Sequence, residues 1–375
     1  MSQSGVYSEL KPVWWYAREG KLPDAPKQIQ LILSDECNMS CGFCAYRMDE
    51  NNPYGAGKKY TSNELFADGV ELSKYGTNNP KRHMPTSRAL SLIDEIKAAG
   101  VIGIQFTGGG EVTVHADHEE IFQHALDIGM KCSMVSNGLR WSDSLIYMLS
   151  WFSWVRVSVD AGDAETFSKT RRTPIGSFKK VWGNIARLAL EIKQNRASQC
   201  VLGVGYVVTP ENYGGILSAC RMAKEAGAHN IRMSAMFSNE DERPFVPIYN
   251  EIVASIRAAQ SELNDDTFTV ADNFGSRVEE LRHGKPDYDF CSYMWYTSYI
   301  GADLNNYVCC VYSYSKRGLM TNLSDRRFDE WWASDERKDF MNRFKASSCE
   351  RCQFDMKNRQ WLYVAGDNPS HVEWT

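Results

Sequence analysis

Short apolar runs alternate with amphipathic segments along most of the chain. The run at 29–33, Ile-Gln-Leu-Ile-Leu, has the length and character of a buried strand in a parallel sheet. From residue 87 onward, each segment with apolar residues at helical spacing is followed by another short apolar run. This order predicts strands at 102–106, 131–135, 154–159, 200–208 and 230–235, and helices at 90–99, 118–129, 142–150, 178–194 and 214–226.

Such β/α repetition is typical of a barrel or of an open, doubly wound parallel sheet. We place this α/β domain at 28–272, after an amino-terminal arm at 1–27, and predict a lid at 48–83 that contains a helix at 62–74. Its last predicted elements are a helix at 247–263 and a strand at 267–270. A polar junction at 273–286 leads to a smaller domain at 287–375, with strands at 296–300 and 307–312 and a helix at 328–341.

Composition narrows the classes of function. A net charge of −5 and a pI near 5.9 predict no general binding to nucleic acids or membrane surfaces. The sequence has no long apolar span and no leader-like start, so we expect a cytoplasmic protein. Eleven cysteines in such a chain indicate metal or redox chemistry rather than disulfides. Four of them follow no pattern and are interpreted as small core residues: Cys132, Cys200, Cys220 and Cys310.

Three cysteines with C-x3-C-x2-C spacing directly follow the first predicted strand: Cys37, Cys41 and Cys44. Three thiolates leave one iron of a four-iron cluster free to bind a small molecule, as a reactive cluster requires. A zinc site and unrelated core thiols are the alternatives. Structural zinc sites favour four ligands in paired C-x2-C units, and a fourth local ligand is missing here.

A second set lies near the carboxyl end of the chain: Cys291, Cys309, Cys349 and Cys352. The strands at 296–300 and 307–312 would bring the first two to the C-x2-C pair. Taken alone, four such cysteines are as compatible with zinc as with an iron–sulfur cluster. Cys310 is an alternative to Cys309 as the fourth ligand.

Polar motifs follow three of the predicted strands, where α/β folds place their chemistry. The first is Thr-Gly-Gly-Gly-Glu at 107–111, in which glycines allow close approach of the backbone and the carboxylate can accept from an ammonium group. The second, Ser-Asn-Gly at 136–138, is a common turn sequence. The third is Ser-Val-Asp at 158–160, with an arginine pair at 171–172 further on.

Together these motifs resemble the radical S-adenosylmethionine (radical SAM) superfamily, whose core is a partial (β/α)6 TIM-like barrel. The resemblance implies that Cys37, Cys41 and Cys44 hold a [4Fe–4S] cluster that binds SAM. The carboxyl-terminal cysteines resemble the Twitch domain, a shortened SPASM domain, which implies one auxiliary [4Fe–4S] cluster. No cysteine follows Cys352, so a second auxiliary cluster is not expected.

The resemblance also implies a SAM site. Gly109, Gly110 and Glu111 would hold the methionine amino group, and Ser158 and Asp160 would lie near the ribose and carboxylate. Arg172 is the better match to the arginine that pairs with the carboxylate. The expected SAM site further includes Ser136 and Asn137, in an architectural corner, and Phe43, packed near the cluster or the adenine.

By this resemblance, the chain reductively cleaves SAM to a 5′-deoxyadenosyl radical that removes a hydrogen atom from a substrate. An auxiliary cluster favours an oxidation, either a dehydrogenation or a crosslink. The alternatives are a redox-neutral epimerisation or isomerisation, with Cys310 as a hydrogen donor, and a metal-binding scaffold without catalysis. Expected partners are a small-molecule, nucleotide or peptide substrate and an electron donor such as flavodoxin or ferredoxin.

Overall fold

The computed structural model of the chain describes residues 21–46, 81–238, 241–315 and 317–365. The predicted helix at 62–74 lies outside the described residues, as do most of the lid at 48–83, most of the arm at 1–27 and the end of the chain from residue 366. No described helix is long and apolar enough to cross a membrane.

One ten-stranded sheet organises the described chain. Seven strands run parallel in chain order, and three further strands extend the sheet beyond β1, giving the order β10-β9-β8-β1-β2-β3-β4-β5-β6-β7. The strands are β1 (Gln28–Ile32), β2 (Gly103–Thr107), β3 (Lys131–Ser136), β4 (Trp154–Ser158), β5 (Val201–Val208), β6 (Asn230–Ala235), β7 (Thr269–Asp272), β8 (Thr297–Ile300), β9 (Asn305–Tyr307) and β10 (Leu319–Asn322).

Helices follow most of the parallel strands and cover one face of the sheet. They are α1 (Thr86–Ala98), α2 (His118–Asp127), α3 (Asp143–Leu149), α4 (Ala164–Arg171), α5 (Gly176–Gln194), α6 (Ile216–Glu225), α7 (Tyr249–Leu263), α8 (Phe274–His283), α9 (Tyr293–Tyr296), α10 (Phe328–Ala333), α11 (Asp335–Arg343) and α12 (Asp355–Ala365). Short 3₁₀ turns lie at Val112–Val114, Tyr213–Gly215, Val246–Ile248 and Ala346–Ser348.

Alternation along the strands separates the two faces of the sheet. In β4, Val155 and Val157 are fully buried in the core under the helices, whereas Arg156 and Ser158 on the opposite face are half-buried. We call this opposite face the inner face. The side chains of the inner face are more polar. The apolar core therefore lies between the sheet and the helices, and the inner face is the one on which a binding site can form.

The carboxyl-terminal domain is joined to the barrel through the sheet itself. Strand β8 pairs with β1 in parallel, with Gln28 opposite Thr297 and Leu31 opposite Ile300. A second connection runs through α1, where the buried Glu95 carboxylate pairs with Arg88 at 2.7 Å and accepts from the Phe328 N–H at 2.8 Å. The two parts of the chain are therefore joined both by the sheet and by a hydrogen bond to a buried ion pair of α1.

The alternation of apolar and amphipathic segments was interpreted correctly for most elements, and the α/β fold is confirmed, but several details of the prediction were wrong. Strands β1 to β6 correspond to the six predicted units and β7 to the strand predicted at 267–270, but α4, which has few apolar residues, was missed. The predicted strand at 307–312 ends at Tyr307, because the following residues turn away to form a cysteine-bearing loop. The helix at 328–341 is divided at Ser334, whose hydroxyl accepts from the Arg337 N–H and caps α11.

Candidate active site and cluster sites

The first cysteine set lies on the loop after β1, and the end of α4 holds this loop in place. The Ser40 N–H donates to the Arg171 carbonyl at 3.1 Å, and the Gly42 N–H donates to the Thr170 carbonyl at 3.0 Å. These bonds fix the backbone between the thiols. The protein's own hydrogen bonds therefore hold the loop against the ends of the strands.

One cavity at the carboxyl ends of β1 to β4 brings most predicted site residues together. The cysteine loop forms one wall, the glycine run another, and the ends of β3 and β4 the rest. Nine of the predicted site residues line it: Cys37, Cys41, Cys44, Gly109, Gly110, Glu111, Ser136, Asn137 and Ser158. We call this the SAM cavity.

Glu111 is buried in the wall of the SAM cavity and is held by four donors. Its Oε1 accepts from the Thr113 N–H at 3.2 Å, the Thr113 hydroxyl at 2.9 Å and the Ser136 hydroxyl at 2.7 Å. Within the described part of the chain, its Oε2 accepts one hydrogen bond, from the Asn137 N–H at 2.7 Å. A carboxylate oxygen has two lone pairs, so Oε2 keeps capacity for an ammonium donor. Ser136 and Asn137 therefore orient Glu111 as well as lining the cavity.

The glycine run packs directly on the chain after β1. The Gly110 N–H donates to the Ser34 carbonyl at 3.1 Å, and the Glu111 N–H donates to the Glu36 carbonyl at 2.8 Å. A Cβ at Gly110 would lie 2.1 Å from the Glu36 carbonyl oxygen, which no side chain can do without a backbone shift. Glycine is required here because two backbone segments touch.

The structure places Arg171, and not Arg172, in the SAM cavity. Arg171 is the last residue of α4; its Nη1 lies 3.4 Å from Cys41 Sγ, and its Nη2 pairs with the buried Asp160. Arg172 follows in the left-handed region, with φ of 47°, and its side chain is exposed beside Gly42. The helix end turns Arg172 outward, so the geometry favours Arg171 over Arg172 as the arginine of this cavity.

Two other predicted residues support this arrangement without lining the cavity. Asp160 also accepts from the Val207 N–H at 2.6 Å, so its carboxylate anchors Arg171 to β5. Phe43 packs under Arg171, with the guanidinium carbon 5.7 Å from the ring centroid. Both residues therefore position the guanidinium next to Cys41.

The second cysteine set surrounds a small cavity in the carboxyl-terminal domain. Its lining includes all four predicted residues, Cys291, Cys309, Cys349 and Cys352, but not Cys310. Cys310 packs instead beside Tyr46, which lines the SAM cavity. The geometry therefore favours Cys309 over Cys310 as a ligand. Of the other unpatterned cysteines, Cys132, Cys200 and Cys220 are buried in the core as predicted.

Donor groups approach the sulfurs of this second cavity. Asn358 Nδ2 lies 3.8 Å from the Sγ atoms of both Cys291 and Cys352, and the Phe354 N–H donates to Cys352 Sγ at 3.3 Å. Burial raises the pKa of Cys349 to about 11 and of Cys352 to about 12. The thiols are therefore protonated in the apoprotein, and metal binding has to displace those protons.

The chain matches the Radical SAM superfamily over residues 31–213 and the SPASM iron-sulfur cluster-binding domain over residues 291–353. It belongs to the radical SAM superfamily. This membership implies SAM and [4Fe–4S] clusters as cofactors and confirms the resemblance seen in the two cysteine sets. The SPASM match ends at residue 353, directly after Cys352.

Curated relatives of the radical SAM protein carry different activities in their names. An S-adenosylmethionine-dependent nucleotide dehydratase of Lacinutrix mariniflava is 28% identical over 149 residues, which are 40% of this chain and 26% of the relative. The AdoMet-dependent heme synthase of Methanosarcina barkeri is 23% identical over 209 residues, 55% of this chain and 50% of that one. The sporulation killing factor maturation protein SkfB of Bacillus subtilis is 25% identical over 164 residues, which are 44% of this chain and 33% of SkfB. The alignments span about a quarter to a half of each relative.

Solved structures share the fold at low identity. Streptococcus suis SuiB bound to S-adenosylmethionine has a TM-score of 0.57 at 12% identity, covering 87% of this chain and 70% of SuiB. The anSMEcpe structure with bound AdoMet and a Cp18Cys peptide has a TM-score of 0.54 at 15% identity, covering 92% of this chain and 91% of anSMEcpe. These likenesses confirm the partial-barrel fold.

The residues present fit the implied cofactors. In the SAM cavity, three cysteines face a carboxylate with a free lone pair and a guanidinium, which suit the ammonium and carboxylate groups of SAM. In the second cavity, four cysteines and N–H donors suit a fully ligated cluster.

Proposed function

We propose that this radical SAM enzyme is an oxidoreductase that dehydrogenates or crosslinks its substrate with the help of one auxiliary cluster. When bound, SAM and its cluster supply hydrogen-atom removal from carbon, and the auxiliary cluster supplies one-electron removal. The substrate thus loses two electrons and two protons in all. The supporting observation is that the second cavity is lined by four cysteines of the chain itself, which leaves no iron open for substrate.

The SAM cavity would orient the cofactor through groups already fixed by the fold. Glu111, held by Thr113, Ser136 and Asn137, would accept from the methionine ammonium group. Arg171, held by Asp160, would pair with the carboxylate. These groups are oriented by the protein before SAM binds, so little reorganisation is required on binding.

Tyr46 lies near cysteines of both cavities. It lines the SAM cavity, and its phenol lies close enough to Cys44, Cys309 and Cys310 for their charges to affect it. Burial raises the pKa of Tyr46 well above its usual range, and nearby Cys310 adds to this effect. In this proposal, the neutral Tyr46 side chain lies on the path of an electron from a substrate at SAM to the auxiliary site.

The experiment compares two sets of cysteine variants in anaerobically reconstituted, reduced protein. With Cys37→Ala, Cys41→Ala and Cys44→Ala combined, 5′-deoxyadenosine formation should be lost. With Cys349→Ala, 5′-deoxyadenosine should still form, while the two-electron-oxidised product, detected by mass in a host extract separated by size, should be lost. An unchanged yield of that product in Cys349→Ala would refute an oxidative role for the auxiliary site.

A redox-neutral epimerisation or isomerisation is the second candidate. It is favoured by the position of Cys310, which lies outside the second cavity and packs beside Tyr46 at the edge of the SAM cavity. A thiol there would return a hydrogen atom to the substrate. A product of unchanged mass, lost in Cys310→Ala but not in Cys220→Ala, would support this candidate against the oxidation.

The names of the relatives are compatible with three classes of substrate: a nucleotide, another small molecule or a peptide. We include an electron donor such as flavodoxin or ferredoxin in the proposal, because reductive cleavage of SAM consumes one electron. A size-separated extract tests the substrate question directly. Stimulation of 5′-deoxyadenosine formation by the small-molecule fraction alone would indicate a metabolite or nucleotide.

A further inference from the structure

Two arginines on the inner face of the sheet have no charged partner in the part of the chain that the structure describes. Arg156 lies in β4 and Arg232 in β6, on either side of β5. Among the described residues, neither forms an ion pair, and the Nε atom of each is buried without a hydrogen-bond acceptor. A buried N–H donor without an acceptor is costly, so an anion that accepts from these donors would complete the arrangement.

The register of the strands places both arginines beside the SAM cavity. Arg156 is opposite Val135, and Arg232 is in the same row as Ser158, through Gly205 of β5. Val135 and Ser158 both line the SAM cavity. Residues in one row of a parallel sheet point to the same face, so the arginine side chains and the cavity share the inner face.

Glycines on the intervening strand make room for the guanidinium groups. β5 carries Gly203 and Gly205 on the inner face, between the two arginines. A Cβ at Gly205 would lie 3.3 Å from Cδ of Arg156, and one at Gly203 would lie 2.6 Å from the Asn230 side chain. The Arg156 side chain therefore lies across Gly205, on the side of β5 that faces Arg232, where a larger residue would displace it.

The two positive charges affect each other. Burial, together with the nearby charges of Arg156 and Arg277, lowers the pKa of Arg232 to about 9. Arg277 is already engaged by Glu280 and by the Gln353 carbonyl. The remaining uncompensated pair, Arg156 and Arg232, is better matched by a dianion than by a single carboxylate.

We propose that Arg156 and Arg232 form a phosphate-binding subsite for the substrate, directly beside the SAM cavity. This inference rests on the proposed function, because it takes the inner face as the place where the substrate binds. SAM has a separate guanidinium for its carboxylate, Arg171, on the cysteine side of the cavity. The substrate class is therefore a phosphate ester, held by its phosphate with the attached group next to SAM.

The test measures binding of inorganic phosphate and of SAM separately, by calorimetry on the reconstituted protein at constant ionic strength. Arg156→Gln and Arg232→Gln should each weaken phosphate binding by about tenfold or more, as expected for loss of one charged hydrogen bond. SAM affinity should not change. Arg187→Gln, which removes an exposed arginine paired with Asp143, is the matched control and should change neither affinity.

Two results would overturn the subsite. Equal loss of SAM affinity in both variants would mean that these arginines hold the SAM carboxylate. If the unmodified protein shows no saturable phosphate binding, or if the Gln variants bind phosphate as tightly as it does, Arg156 and Arg232 do not form a phosphate site. If a Gln variant loses its iron or its circular dichroism spectrum, Gly205→Ala narrows the same site without removing a charge and should weaken phosphate binding alone. Phosphate binding needs no radical chemistry, so its failure is separate from failure of SAM cleavage.

Discussion

The Tyr314 hydroxyl donates to the buried Asp35 carboxylate, and this contact joins the carboxyl-terminal domain to the chain just before the first cysteine set. Arg82 donates to the other oxygen of the same carboxylate at 2.8 Å. Burial raises the pKa of Asp35 to about 6, against the opposing effects of Arg82 and Tyr314. A Cβ at Gly109 would touch both Asp35 and Tyr314, so the pair lies directly behind the glycine run of the SAM cavity.

Removing the Tyr314 hydroxyl should destabilise the protein. In Tyr314→Phe, Asp35 stays buried with one donor fewer, which costs about 1–3 kcal/mol for a charged acceptor. We expect a clear fall in the midpoint of thermal unfolding. Tyr147→Phe removes the same atom from an exposed tyrosine and serves as the control. An equal midpoint for the two variants would show that the Asp35 contact contributes nothing to stability.

Arg171 and Arg172 should differ sharply in their effect on SAM. Arg171→Gln removes the guanidinium that contacts Cys41 and Asp160, and SAM affinity should fall by about tenfold or more. Arg172→Gln alters the exposed neighbour and should change SAM affinity less than about twofold. Calorimetric titration of reconstituted protein with SAM checks both. The reverse order of effects would restore Arg172 as the carboxylate partner.

The adjacent thiols Cys309 and Cys310 provide a second matched pair. Cys309→Ala removes a residue that lines the second cavity, so iron should fall from about eight to about four atoms per chain. Cys310→Ala should retain about eight. Iron and sulfide analysis, with electron paramagnetic resonance of the reduced protein, measures both. Loss of the auxiliary signal in Cys310→Ala alone would exchange the two assignments.

Glu280 should make stability depend on pH. Burial raises the pKa of this α8 side chain from 4.5 to about 7, with Arg277 opposing and Asp355 adding to the shift. A raised carboxyl pKa means that the folded state takes up a proton. The stabilisation is therefore full below about pH 4.5 and is lost as the pH rises through 7.

The measurement is the thermal unfolding midpoint between pH 5.5 and 8. It should fall less steeply with rising pH in Glu280→Gln than in the unmodified protein. Glu262→Gln is the control, because its hydrogen bond to Arg221 lowers the pKa of Glu262 and moves its titration below this range. Parallel curves for Glu280→Gln and the unmodified protein would contradict the prediction.

Local sequence was sufficient for the fold and for the cysteine sets. The spacing around Cys37 and the apolar run before it specify a loop at a strand end, and hydrophobic periodicity marks most helices. Spacing could not decide between neighbours such as Arg171 and Arg172, because a single helix-ending residue with positive φ determines which one faces inward. The same limit applied to Cys309 and Cys310 after β9.

Contacts between distant parts of the chain left no local signal. Asp35 and Tyr314 are 279 positions apart, and nothing near either residue predicts the other. Arg156 and Arg232 each appear as one polar residue in an alternating strand. Only the register through β5 shows that both lie on the inner face beside Gly205.

The pairing of β1 with β8 has a consequence for how the protein is made. β1 is synthesised early, yet the neighbour on one side of it, Thr297–Ile300, emerges from the ribosome about 270 residues later. Until then one edge of an apolar strand has no hydrogen-bonding partner, as at an open sheet edge that can pair with other chains. Nascent chains of this protein should therefore depend on chaperones for longer than nascent chains of a barrel that closes in sequence order. Cluster insertion should follow release of the whole polypeptide.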